Sequence, residues 1–280
     1  MKCLVTGGAG FIGSNLIKRL LEGYDNRVKS LDNYTTVNIE NQHKGCKYIH
    51  GDIRDYKALG TFDVIFHMAA LPRIAPSFKN PREVFETNVQ GTQNVLEYAR
   101  VYNTPVIYAG SSSFHGGRYK NPYTFTKWQG EELCRMYNKI FGVKTTICRF
   151  YNVYGDYMIN EGAYRTVLSI FKEQYEKGEP LTITGDGEQR RDFTHVDDIV
   201  DGLIKCYEHT SDITLTYEFG RGKNYSINEI VDMFGSERTY IDAIPGEART
   251  TLRENDNARN VLKWKPKNNI GDWINEIRKI

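Results

Sequence analysis

The chain has 280 residues, 40% of them hydrophobic and 26% charged, with a formal net charge of +2. This is the mix of an ordinary soluble globular protein, long enough for one large domain or two closely joined ones, and its charge balance is too even to point to nucleic acid or to an acidic surface. No apolar run approaches the roughly 20 residues of a membrane span, and the N-terminal one is too short for a signal peptide, so a cytoplasmic location and no membrane partner are expected.

The first half alternates strand and helix. Lys2–Gly7 (KCLVTG) reads as a buried strand and Phe11–Gly23 (FIGSNLIKRLLEG) as an amphipathic helix. Between them stands Gly8-x-Gly10-x-x-Gly13, with Gly7 adding a three-residue register through Gly10 to Gly13. Strand before and helix after is the context this pattern needs. The glycines let the backbone turn tightly and approach a pyrophosphate, and the helix N-terminus offers free N–H groups. The next strand, Arg27–Asn33, carries Asp32 about 20 residues on. A carboxylate there accepts both adenosine-ribose hydroxyls and repels a 2′-phosphate, which favours NAD over NADP.

Cys46–Asp52 and Asp63–Ala70 read as the third and fourth strands. Asp52 either holds the adenine edge or caps a short helix over Ile53–Leu59. A helix is expected over Pro81–Tyr102, opened by Pro81. Pro105–Ser113 is a strand ending in Ser111, Ser112 and Ser113. A helix follows over Phe125–Phe141, then a strand within Lys144–Gly155. Short apolar strands alternating with helices specify an α/β fold with a doubly wound parallel sheet, the Rossmann arrangement. Beyond Gly155 the rhythm breaks into a helix-like Ala163–Lys177, a strand, a Gly-rich turn, a helix from about Val196, and a more polar tail. The expected division is a dinucleotide-binding domain over 1–155, with 189–210 returning to it. A smaller substrate-binding region, 156–188 and 211–280, packs over the sheet's carboxyl edge.

The five cysteines are odd in number and widely spaced, which suits reduced structural thiols, and the six histidines show no metal-ligand spacing. Tyr123 and Lys127, four residues apart, share one face of a helix start. A free tyrosine with pKa about 10 is a poor base, and a nearby ammonium favours its phenolate. Such a phenol can take a proton from a sugar hydroxyl while hydride leaves for NAD.

With these residues in place, the chain resembles the extended short-chain dehydrogenase/reductases of the NAD-dependent sugar-nucleotide epimerase/dehydratase family. The resemblance is carried by TGGAGFIG (including Gly7, Gly10, Phe11, Ile12 and Gly13), Asp32-Asn33, Gly51-Asp52 followed by Ile53, HMAA ending in Ala69-Ala70, Asn88 in NVQGT, the serines, Tyr123/Lys127, RFYNVYG and RRDFTHVDD. It implies that these first groups, with Lys127, hold NAD. It also selects Ser111 as the catalytic serine, five residues before the Gly of Phe114-His115-Gly116, with Ser112 as the alternative. Where dehydratases of the family carry Asp-Glu and decarboxylases keep the Glu, this chain has Ser112-Ser113. The resemblance therefore implies 4-epimerisation of a nucleotide sugar: oxidation at C4, then hydride return to the other face. A nucleotide-sugar reductase or oxidase, a dehydratase and an NAD-sensing binding protein are the alternatives. It further assigns Asn152 and Arg191 to the diphosphate, and Glu247, in IPGEARTTL, to the nucleotide ribose. Ile244 stands where an arginine is usual, and Arg249 is expected to supply that charge. Thr251 falls near the sugar's C2 group, which leaves room for an N-acetylated hexose. Arg73, after the fourth strand, either touches the sugar or is solvated. The resemblance also implies a homodimer through the helices at Pro81–Tyr102 and Phe125–Phe141, whose apolar faces equally suit packing on their own sheet.

Overall fold

The computed structural model describes residues 1–279 apart from 24, 25, 38 and 56–58. Its strands are β1 (Lys2–Thr6), β2 (Arg27–Asp32), β3 (Lys47–His50), β4 (Val64–His67), β5 (Val106–Ser111), β6 (Thr145–Phe150), β7 (Val153–Tyr154), β8 (Leu181–Thr184), β9 (Arg190–Asp192), β10 (Thr194–His195), β11 (Leu215–Phe219), β12 (Asn224–Ser226) and β13 (Arg238–Ile241). The α-helices are α1 (Phe11–Glu22), α2 (Ile74–Lys79), α3 (Pro81–Phe85), α4 (Gly91–Tyr102), α5 (Pro122–Phe141), α6 (Val167–Glu176), α7 (Val196–Glu208), α8 (Ile227–Phe234), α9 (Asn257–Leu262) and α10 (Ile270–Ile277).

One sheet of seven strands runs in the order β11-β6-β5-β4-β1-β2-β3. Every neighbouring pair in it is parallel. Residues of β4, β5 and β6 are buried throughout. Such strands read as continuous rather than alternating apolar runs because helices cover both faces. On one face Leu16, Ile17 and Leu20 of α1 pack with Ile199 and Leu203 of α7. On the other, Leu96 and Ala99 of α4 meet Cys134 and Tyr137 of α5. The chain leaves β1 in one direction through β2 and β3 and returns through β4 in the other. Ligands of such sheets collect at this switch point, at the carboxyl ends of the strands.

Three differences from the sequence expectation have physical causes. The helix over Pro81–Tyr102 is interrupted by a π-helical turn at Glu86–Gln90. Within it the buried Asn88 amide bonds both the N–H and the C=O of Leu71, at 2.8 and 3.1 Å. The other long helix begins at Pro122, not Phe125: Asn121 accepts from the Thr124 N–H at 2.8 Å and Pro122 occupies the first turn. Finally, Leu215–Phe219, expected in the substrate-binding region, is the sheet's seventh strand. Phe219 and Trp264, both wholly buried, meet edge-on at 5.0 Å and draw the tail against the same core as α1 and α7.

The smaller region has its own core of Tyr154, Phe171, Ile183, Phe193, Ile230, Phe234 and Ile274. Two acids of RRDFTHVDD staple it to the sheet. Asp192 accepts from the N–H groups of Arg221, Gly222 and Arg253, and Asp198 from those of Lys267 and Asn268. All five cysteines are free thiols. Among the described residues no helix is long and apolar enough to cross a membrane, and no cluster has the makings of a metal site.

Candidate active site

The loop after β1 is built for a close-approaching ligand. Gly7 has φ of +70°, and a Cβ there would stand 2.7 Å from the Ala69 backbone, so the loops after β1 and β4 meet at the switch point. A Cβ on Gly13 would strike the Gly7 carbonyl at 2.1 Å. No side chain caps the N-terminus of α1, which leaves the first-turn amides of Phe11, Ile12 and Gly13 for a ligand. Asp32 takes the Ala9 N–H on one oxygen and the Tyr34 N–H on the other, both at 2.9 Å. Each oxygen keeps a lone pair for a hydroxyl. These groups fit a dinucleotide.

Other expected cofactor residues hold the frame. Asp52 is bound by Arg54 at 2.7 Å and by the Asn33 amide at 2.8 Å. Burial pushes its carboxyl up, but these bonds win and hold it at about 2. The alternative helix over Ile53–Leu59 falls partly on 56–58, outside the described residues. Ile53 itself packs in the core, and the Ala69 N–H bonds Thr6 Oγ1 at 3.3 Å. Ala70 continues the loop that Asn88 holds through Leu71. Asn88 also donates to Thr126 Oγ1 at 3.2 Å, so its amide braces the loop after β4 against α5. His67 is wholly buried and pushed down to about 3 by burial and by the charge of Lys127.

Ser111 ends β5, and Tyr123 lies in the first turn of α5. The Tyr123 hydroxyl donates to Ser111 Oγ at 3.3 Å, long for a hydroxyl bond, as such bonds often are before substrate draws them in. Of the three serines, Ser111 is the one bonded to the phenol. Its Oγ also accepts from the Ser113 N–H at 3.2 Å and lies 2.9 Å from Ser113 Oγ. Ser112 opens the 3₁₀ turn that carries Ser113. Lys127 is buried, one turn beyond Tyr123, with its Nζ over the Tyr108 ring at 4.4 Å. Burial pushes this ammonium down to about 8, against the pull of Glu131.

The phenol has other neighbours as well. Burial raises Tyr123 above its usual range, and the groups that oppose it are Ser111, through its hydrogen bond, and the charge of Arg73. Lys127, for its part, faces the Tyr108 ring.

On the substrate side Arg191 and Glu247 are brought together as an ion pair at 3.1 Å. Asn152, with φ of +32°, donates to the Asp192 carbonyl at 3.1 Å and to Thr251 Oγ1 at 2.9 Å. Arg73 stands at the sheet edge and donates to the Tyr164 carbonyl at 3.1 Å. Arg249 does not join them. Its fork lies on Asp186 at 2.7 and 2.8 Å, and its side chain is 63% exposed, so the expected replacement for the arginine missing at Ile244 is not made.

Behind the serines lies a buried network that sequence reasoning missed. Arg149 forks onto Glu131 at 3.0 and 2.7 Å and reaches Glu218 at 3.4 Å. His115 bridges Glu218 at 2.6 Å and Glu254 at 2.9 Å, and the Tyr151 hydroxyl donates to Glu218 at 2.8 Å. Burial raises the Glu218 carboxyl, but His115 and the other donors hold it at about 2. The signal was present: Tyr123, Lys127 and Glu131 recur at four-residue steps on one helix face.

A parallel sheet with a glycine-turned phosphate loop, and a serine–tyrosine–lysine group at its carboxyl edge, defines a dinucleotide-binding enzyme of the short-chain dehydrogenase type. The family model described as the NAD dependent epimerase/dehydratase family matches residues 3–220, and the chain belongs to that family. A putative UDP-glucose 4-epimerase of Methanocaldococcus jannaschii is 32% identical over 300 residues, 98% of this chain and 96% of that protein. UDP-glucuronic acid decarboxylase 3 of Arabidopsis thaliana is 32% identical over 299 residues, covering 95% of this chain and 85% of that one. The crystal structure of UDP-glucuronic acid 4-epimerase from Bacillus cereus, in complex with UDP-glucuronic acid and NAD, superposes with a TM-score of 0.91. Its sequence is 28% identical, and the match covers 100% of this chain and 98% of that one.

Proposed function

We propose that this chain is an NAD-dependent nucleotide-sugar 4-epimerase acting on a UDP-hexose. The observation that carries this reading is the Ser111–Tyr123 hydrogen bond beside the glycine loop, with Ser112 and Ser113 where the dehydratases that the chain resembles carry Asp-Glu. NAD, when bound, takes up and gives back the C4 hydrogen and in its oxidised form adds positive charge beside the phenol. Phe11, Ile12 and Gly13 hold its pyrophosphate through their amides, Asp32 its ribose, and Lys127 the second ribose. Tyr123 accepts the C4 hydroxyl proton and later returns it, and Ser111 bonds the same oxygen. Arg191 receives a phosphate of the substrate once Glu247 turns from it to the nucleotide ribose, and Asn152 lines the diphosphate. Neither Ser112 nor Ser113 has an acid to lend to elimination or decarboxylation.

The test is to incubate purified protein with NAD and a panel of UDP-sugars and follow products by proton NMR. C4 epimers in equilibrium without net NADH are expected. A 4-keto-6-deoxy sugar, a pentose or steady NADH release would overturn the assignment. We also infer a homodimer formed through α4 and α5, which expose Val101, Ile140 and Phe141. Light scattering that gives a monomer mass would remove it.

A further inference from the structure

Arg73 sits in a backbone conformation that an arginine has no local reason to adopt. Its φ is +83° and its ψ +140°, a region that favours glycine, at the residue preceding α2. Strain of this kind persists where the surroundings fix it, and it concentrates at functional sites. Among the described residues the half-buried guanidinium is fixed at one point, where Nε donates to the Tyr164 carbonyl at 3.1 Å. Its two terminal nitrogens donate to none of the described residues, and none of their carboxylates pairs with it. Burial pulls its pKa down, and the partners that pull it back up are Tyr123 and Glu247. A cation drawn partly out of water without a carboxylate in direct contact is unfavourable until something anionic arrives.

The position says where that anion lies. The helix that Arg73 opens is fastened to the start of α5, because Ser77 Oγ accepts the Tyr123 N–H at 3.2 Å. Arg73 is thus held beside the tyrosine, whose charge it feels. Arg191, on β9, differs in being already paired, with Glu247 at 3.1 Å. A guanidinium fork matches a carboxylate through two parallel bonds.

We propose that Arg73 is a specificity-determining residue that receives a carboxylate on the sugar carbon next to C4, so that the preferred substrate is a nucleotide hexuronate. This rests on Tyr123 serving C4. The competing source of an anion is the substrate diphosphate, which every nucleotide sugar carries.

The experiment measures binding of UDP-glucuronate and UDP-glucose by calorimetry, and kcat/KM for both, in the NAD-loaded wild type, Arg73→Gly and Arg73→Lys. Glycine relieves the positive φ, so failure to fold is not the expected cost of that change. The wild type should bind UDP-glucuronate more tightly than UDP-glucose. The ratio of the two affinities should fall at least fivefold in Arg73→Gly, a floor below the roughly tenfold or more that one charge-assisted bond is worth. Arg73→Lys should keep part of the preference. A wild type preferring UDP-glucose, or a ratio moving less than fivefold because both affinities fall together, overturns the proposal, the latter placing Arg73 on the diphosphate. Failure of the epimerase reading shows separately, as a product other than the C4 epimer from a sugar whose binding still responds to Arg73.

Discussion

Lys127 and Arg149 are buried to nearly the same degree, 5% and 7% exposed, and both feel Glu131, yet the protein treats them in opposite ways. Arg149 is completed by the chain itself, with Glu131 on its fork and Glu218 beyond. Burial works against its charge, but these carboxylates outweigh it and raise its pKa. Lys127 bonds none of the described residues through Nζ, and its pKa falls to about 8. The paired cation is architecture: it ties α5, β6 and β11 together behind the serine turn. The unpaired one costs stability in the free protein, and in the proposed reading NAD completes it. Two buried cations that share Glu131 thus differ in pairing more sharply than in burial.

The largest effect expected at the functional end of this comparison is Tyr123→Phe. Removing the proton acceptor should lower kcat by about 10²–10⁴-fold, while NAD binding, followed by fluorescence, persists. Retention of more than a tenth of wild-type turnover would take the phenol out of the chemistry. At the structural end, Arg149→Met leaves Glu131 and Glu218 buried without their cation. A loss of about 3–5 kcal/mol in urea unfolding is expected, because breaking one side of a buried pair strands the other.

Lys127→Met should do the reverse: activity lost and the ligand-free fold stabilised. The usual pKa of lysine is 10.5 and the folded one about 8, so the unfolded chain holds this proton more tightly. The penalty, on the order of 3 kcal/mol, is fully present below pH 8 and fades as pH rises to about 10.5. The stability gap between variant and wild type should therefore narrow over that range. A variant less stable than wild type at pH 7 would break the comparison.

The parallel sheet, the glycine loop with Asp32, and the order of the serines, Tyr123 and Lys127 were legible because each is written in local spacing. What was not legible depends on contacts distant in sequence. Leu215–Phe219 is as short and mixed as a loop strand, and only its pairing with β6 and the burial of Trp264 place it in the main sheet. The π-turn around Asn88 follows from a bond to Leu71, seventeen residues away. The motif RRDFTHVDD offered Arg191 to the diphosphate, and nothing local in it shows that Asp192 and Asp198 accept backbone N–H groups from far along the chain and serve as staples. Arg249 shows the limit most directly: the family resemblance offered it to the diphosphate, and its fork lies on Asp186 of a separate turn.

The finest distinction is within the serine turn itself. A hydroxyl has one proton and two lone pairs. Ser111 Oγ accepts from the Tyr123 hydroxyl and the Ser113 N–H, so its own proton lies toward Ser113 Oγ at 2.9 Å. When a sugar oxygen takes that proton, Ser113 can turn about and donate in its place, so that Ser111 stays fully bonded as it donates. Ser113→Ala removes this exchange and leaves Ser111 and Tyr123 intact. A single neutral hydrogen bond is worth about 0.5–1.5 kcal/mol, so kcat should fall roughly 2- to 10-fold with KM little changed. If KM rises while kcat holds, Ser113 contacts bound sugar rather than steering Ser111. If melting temperature falls with both constants unchanged, it only braces the turn, and the serine chain belongs with Arg149 on the structural side.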